Sequence, residues 1–152
     1  MQQEFFSDFS LGFLDGLTVT SSISSGLFAG NIDKESILKS IIASTSAGSL
    51  SMGLSNYLSI DVIDSRKDDA FLSGLRTSFG YIIGAALSFV AFKLNESVKD
   101  GFQYSILSNC IALLVFGFLR GYYLTENPFL SIVKVFLIGV ISMSVTFYVG
   151  MQ

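Results

Sequence analysis

Gly101–Leu119 reads GFQYSILSNCIALLVFGFL, a run without one charged side chain. A helix of about 20 predominantly apolar residues crosses the roughly 30 Å of bilayer hydrocarbon, so this stretch reads as a membrane span. Outward from it the pattern repeats: 16–32, 40–60, 77–92 and 135–152 are also free of charge. The intervals between charges predict five transmembrane helices at roughly 9–30, 36–60, 70–94, 103–124 and 128–151 in one all-α membrane domain over 1–152. Connections are short, and no soluble domain fits between them.

Composition agrees, because 51% of the 152 residues are hydrophobic and only 14% charged, too apolar for a soluble domain of this length. Transmembrane β-strands would alternate in polarity over about ten residues, whereas these runs are continuous. Met1–Ser10 holds Glu4 and Asp8 but no Lys or Arg, unlike the basic start of a secretory signal, so the first helix is expected to remain in the protein. Asn127-Pro128 reads as a helix N-cap with proline at the first helical position. Tyr57, Tyr104, Tyr122 and Tyr123 fall near span ends, where rings with a polar tip favour the membrane interface.

With no His and a single cysteine, Cys110, the chain builds neither a disulfide framework nor a Cys/His metal site. It carries no phosphate-cradling glycine loop, no histidine base and no nucleophile with an evident partner, which argues against an enzyme and against ATP-driven pumping. No basic patch points to nucleic acid. Any transport would run on gradients.

Small residues recur at spacings of about four: Gly12, Gly16, Ser22 and Gly26 in the first helix, Ser44 and Gly48 in the second, Gly80, Gly84 and Ser88 in the third. Such faces let helix backbones approach closely in lipid, within one chain or between two. The first two helices are also rich in serine and threonine, as expected of helices facing a polar interior, although such hydroxyls also bond back to their own helix.

Asp15 stands out, since a carboxylate within a span is costly unless it meets a cation, a proton or water. If the helix began later, Asp15 would instead be an interfacial cap. Met52 and Asn56 lie one turn apart on the second helix and offer, with Asp15, oxygen and sulfur donors. That mixture suits a borderline ion such as ferrous iron better than a hard one, while a methionine in a span also serves as packing. Asp61, Asp64, Asp68 and Asp69, beside Arg66 and Lys67, form an acidic loop that either concentrates cations at a pore mouth or is a solvated connection. Arg66, Arg76 and Arg120 all fall on the N-terminal face, which favours a cytoplasmic N-terminus.

The runs Leu14-Asp15-Gly16-Leu17-Thr18-Val19-Thr20 and Ala47-Gly48-Ser49-Leu50-Ser51-Met52-Gly53-Leu54-Ser55-Asn56-Tyr57-Leu58-Ser59 resemble the first two helices of the vacuolar iron transporter family. Gly74-Leu75-Arg76-Thr77 with Gly80–Ala85, and Gly117–Gly121 with Asn127-Pro128, are similar to its third helix and its fourth-to-fifth junction. The resemblance implies a homodimer in the lipid bilayer that moves Fe²⁺, and often Mn²⁺, out of the cytosol in exchange for protons. It implies a path lined by the first two helices of both subunits, with Asp15 and Met52 on metal-path positions. In this chain Asn56 replaces the family's glutamate before Tyr57, and the family's cytoplasmic metal-binding domain shrinks to Ile60–Asp69, which makes it a minimal member. The alternative is a non-transporting membrane scaffold or assembly subunit whose Gly/Ser faces bind a partner.

Overall fold

The structure, a computed structural model, describes residues 2–124 and 127–152; the side chains of Gln2, Asp64, Ser65 and Arg66 lie outside that description. Five helices follow in order: α1 Gln2–Ala29, α2 Lys34–Asp61, α3 Ala70–Leu94, α4 Val98–Tyr123 and α5 Pro128–Gly150. A 3-10 turn over Asp64–Asp69 joins α2 to α3. Helical stretches Lys67–Leu94, Val98–Tyr123 and Pro128–Gly150 are long and apolar enough to cross a membrane. Helices α1 and α2 have 28 residues each, ample length, but their hydroxyls lower their apolar character.

Helix starts follow local capping chemistry. Asp33 accepts the Ser36 amide at 3.0 Å and opens α2, and the Ser97 hydroxyl accepts from Lys99 and Asp100 to open α4. Asn127 accepts from the Phe129 and Leu130 amides, with Pro128 behind it, as the sequence predicts. Two helices begin earlier than the charge pattern suggests. Helix α4 starts at its Ser97 cap, and α1 reaches back to Gln2 because Phe6 stacks on Phe116 and Phe9 packs against it at a tilt, with Phe6 also against Tyr123. Aromatic packing against α4 outweighs the polar character of Glu4 and Asp8 at that end.

Helix α1 is the hub, packing on α3, α5, α4 and α2, and α3 also holds α2. The α1–α3 approach is close on both sides: a Cβ added at Gly12 or Gly16 would run into the Thr77 and Tyr81 carbonyl oxygens, and one at Gly80 or Gly84 into those of Phe9 and Phe13. These glycines therefore serve packing within the subunit. Gly26 likewise lies against Thr146 and Gly150 of α5.

The bundle encloses polar side chains alongside two apolar clusters, around Phe13 and Leu17 and around Ile37 and Phe92, and is apolar outside. Thr20, Ser24, Ser73, Thr77, Ser88 and Asn109 are fully enclosed, while Leu50, Phe129 and Ile138 are 74%, 74% and 62% exposed. In water this distribution would be unfavourable; in lipid, where exposed leucine costs nothing and enclosed hydroxyls bond across helices, it is the stable one. Asn109 shows the device, donating to Ser88 at 3.0 Å and Ser105 at 3.3 Å.

Candidate metal path

One face of α1 repeats at helical spacing: Ser7, Leu11, Leu14, Asp15, Thr18 and Ser22. These residues line an open groove of about 850 Å³. At 1.5 Å per residue, the lining from Ser7 to Ile23 runs about 24 Å along α1, most of the way through a bilayer. Helix α5 supplies the facing wall from Ile138 to Thr146, Arg120 of α4 lines the end near Ser7, and Met52 reaches in from α2.

Because α1 begins at Gln2, Asp15 is in the helix interior and is not a cap. It is half-buried and, among the described residues, makes no hydrogen bond or ion pair. The structure thus brings Asp15 and Met52 onto one groove. Asn56 points elsewhere: its amide donates to Ser73 at 2.9 Å and Thr77 at 2.8 Å, joining α2 to α3. The Thr77 hydroxyl in turn lies 3.1 Å from the Asp8 carbonyl oxygen of α1. Of the acidic loop, Asp68 and Asp69 are exposed, Asp61 is half-buried, and the Asp64 side chain lies outside the described residues. Among the described residues no three His, Cys, Asp or Glu gather closely enough to hold a metal.

Several site-forming residues escape sequence reasoning. Arg120, Ser142 and Thr146 enter from helices remote in sequence, and periodicity carries no signal for that juxtaposition. Tyr81 crosses from α3 to α2, where a Cβ on Gly48 would meet its phenol oxygen. Asp8, read from sequence as a terminal acid, is buried 3.8 Å from Arg76, whose guanidinium also lies 5.5 Å from the Phe5 ring centre. The signal was available, since an arginine inside a span needs an anionic partner.

The family model described as VIT family matches residues 6–65 and 60–151, nearly the whole chain. The chain belongs to the VIT family. Relatives include "Vacuolar iron transporter 1" of Eucalyptus grandis, 22% identical over 95% of this chain and 84% of its own length. "Vacuolar iron transporter" of Centaurea cyanus is 23% identical over 92% and 84%, and "Vacuolar iron transporter 1" of Oryza sativa subsp. japonica 22% over 91% and 81%. The alignment with the Eucalyptus protein runs to 210 residues against 152 here, so the longer VIT protein carries residues without a counterpart in this chain. The two matched pieces of the VIT model meet at 60–65, the α2–α3 junction, which is the place such an insertion would occupy. Family membership and the apolar helices together make this VIT protein an integral membrane protein.

Proposed function

We propose that this VIT-family chain transports a divalent transition-metal ion, Fe²⁺ foremost and Mn²⁺ second, out of the cytosol along the α1 groove. One observation carries the reading: Asp15, an intramembrane carboxylate with no hydrogen-bond or ion-pair partner among the described residues, shares a groove with the Met52 thioether. Carboxylate oxygen and thioether sulfur together favour a borderline ion, and curated relatives bear the name vacuolar iron transporter. All five helices cross the bilayer, and the N-terminus faces the cytosol, placing Lys67, Arg76 and Arg120 on the inner side.

One carboxylate and one thioether leave coordination positions of a transition ion open, which a second copy of the chain fills alongside water. Two-fold pairing doubles the set to two carboxylates and two thioethers. The α2 surface flanking Met52 supports that arrangement, since Leu50, Ser51, Leu54 and Ser55 are all exposed, hydroxyls included. A bound carboxylate must be deprotonated, so loading the ion releases protons and weakens in acid, which couples metal to proton movement.

Purified protein in liposomes loaded with a metal-quenched dye tests this. Quenching by Fe²⁺ and Mn²⁺ that disappears in Asp15→Asn supports transport. Absent flux from correctly folded wild type would instead favour the scaffold reading. For the dimer, a cysteine placed at Leu50 or Leu54 in a Cys110→Ser background should crosslink two chains in membranes, and a persistent monomer at both positions overturns the shared site.

A further inference from the structure

We propose that the groove holds a second, uncharged oxygen subsite beyond Asp15, formed by Thr18 and Ser22 of α1 with Ser142 and Thr146 of α5, which receives the divalent cation in partly hydrated form. The inference deepens the transport reading and rests on it. All four side chains line the same groove as Asp15. Thr18 is about 4.5 Å and Ser22 about 10.5 Å along the helix axis from Asp15, just under one turn and about two turns away.

The orientation of the hydroxyls matters more than their number. Thr18 donates its proton to the Leu14 carbonyl at 2.7 Å, and Thr146 lies 3.1 Å from both the Ser142 and Met143 carbonyls. A hydroxyl whose only proton is committed to its own helix offers only acceptor lone pairs to the groove. With Thr18 on one wall and Thr146 on the other, these acceptors attract a cation or the hydrogens of its hydration water.

Ser22 is the independent observation. On α1 the neighbouring hydroxyls of Thr20, Ser21 and Ser24 all bond helix carbonyls. Ser22 is only 7% exposed, lines the groove, and its Oγ has no hydrogen-bond partner among the described residues. A buried hydroxyl left unsatisfied among neighbouring hydroxyls that all bond helix carbonyls marks the place of a water or ion held in transit.

Neutral oxygens hold a divalent ion weakly, and weakness is the useful property. A path conducts only if each site binds well enough to be entered and poorly enough to be left. Asp15 and Met52 supply retention; the hydroxyl pair of walls supplies the exit from it.

The test deletes hydroxyls while keeping shape. In Mn²⁺ uptake by proteoliposomes, Ser22→Ala combined with Thr18→Val and Thr146→Val should lower the maximal rate by roughly fivefold or more and leave the half-saturating concentration within about twofold. Ser22→Thr in place of Ser22→Ala should restore part of that rate, which separates lost oxygen from lost folding. An unchanged maximal rate, or a raised half-saturating concentration alone, overturns the subsite while transport itself stands. Independently of flux, S22C and T146C in a Cys110→Ser background should react with a water-soluble thiol reagent faster than the outward-facing I111C, and Mn²⁺ should slow them. Reaction no faster than at Ile111 overturns the proposal even in a protein that does not transport.

Discussion

On its α3 side, helix α1 carries Asp8, nearly fully buried, 3.8 Å from Arg76, with its backbone carbonyl within reach of the Thr77 hydroxyl. About 10 Å further along the same helix Asp15 faces the groove, half-buried, with no protein partner among the described residues. The chemistry of the two groups is identical, and only their neighbours differ. The Asp8 carboxylate is closed in beside the Arg76 cation of α3, next to glycines that bring the helices into contact. Asp15 is left open where α5 and α2 stand back from α1. A carboxylate enclosed beside a cation of the fold belongs to the scaffold, and one that the fold leaves open is available to a cargo cation.

The largest expected effect comes from neutralising each in turn. Asp15→Asn keeps shape and removes charge, so metal uptake into liposomes should fall more than tenfold, with thermal unfolding in detergent nearly unchanged. Asp8→Asn leaves Arg76 enclosed without its anion, which costs about 3 kcal/mol and should appear first as a lower unfolding temperature. Residual folded Asp8→Asn protein should retain uptake per folded molecule. The opposite outcome, with Asp8→Asn silent on stability and Asp15→Asn on flux, would exchange the two roles.

Charge spacing makes the five helices legible because charges cluster where chain meets water, and that physics is local. The start of α1 is not legible in the same way, since it depends on Phe6 meeting Phe116 and Tyr123 more than a hundred residues later. The candidate site divides along the same line. Asp15 and Met52 announce themselves as unusual residues within spans, whereas Ser142 and Thr146 look like ordinary small residues of the apolar α5 until the bundle sets them opposite Thr18 and Ser22. Asn56 illustrates the limit from the other direction: spacing places it one turn from Met52, but its amide nitrogen donates to Ser73 and Thr77 of α3 and the residue is absent from the groove lining.

Met52 and Asn56 sharpen the contrast on α2 with smaller effects. Met52→Leu conserves volume and deletes the soft donor, so Fe²⁺ uptake should drop by roughly three- to tenfold and Mn²⁺ uptake by about twofold or less. Equal loss of both ions would make Met52 a packing residue. Asn56→Ala removes two hydrogen bonds in an enclosed setting and should cost about 1–2 kcal/mol of stability, read as a lower unfolding temperature, with uptake within about twofold of wild type. A collapse of uptake at unchanged stability would instead put Asn56 on the route of the ion.

The smallest effect is expected at a third aspartate, which is neither clamped by a cation nor aimed at the groove. Asp33 stands in the α1–α2 connection, fully exposed, and accepts the Ser36 amide at 3.0 Å and the Ser36 hydroxyl at 2.7 Å. Those two bonds favour the charged form and hold its carboxyl below the usual 3.8. A depressed folded-state value means that the unfolded chain binds the proton more readily, so the cap stabilises the start of α2 above 3.8 and is lost as pH falls through the folded value. In lipid nanodiscs, Asp33→Ala should therefore speed amide exchange at Ser36 near pH 7, and wild type should approach the variant's protection as the solution is acidified below 3.8. Metal uptake at neutral pH should be unaffected, because Asp33 touches only the first turn of α2 and is absent from the groove lining. A loss of uptake in Asp33→Ala with Ser36 still protected would mean that an exposed carboxylate on this face handles the ion, and the division between structural and open carboxylates would then not be one of burial and partners alone.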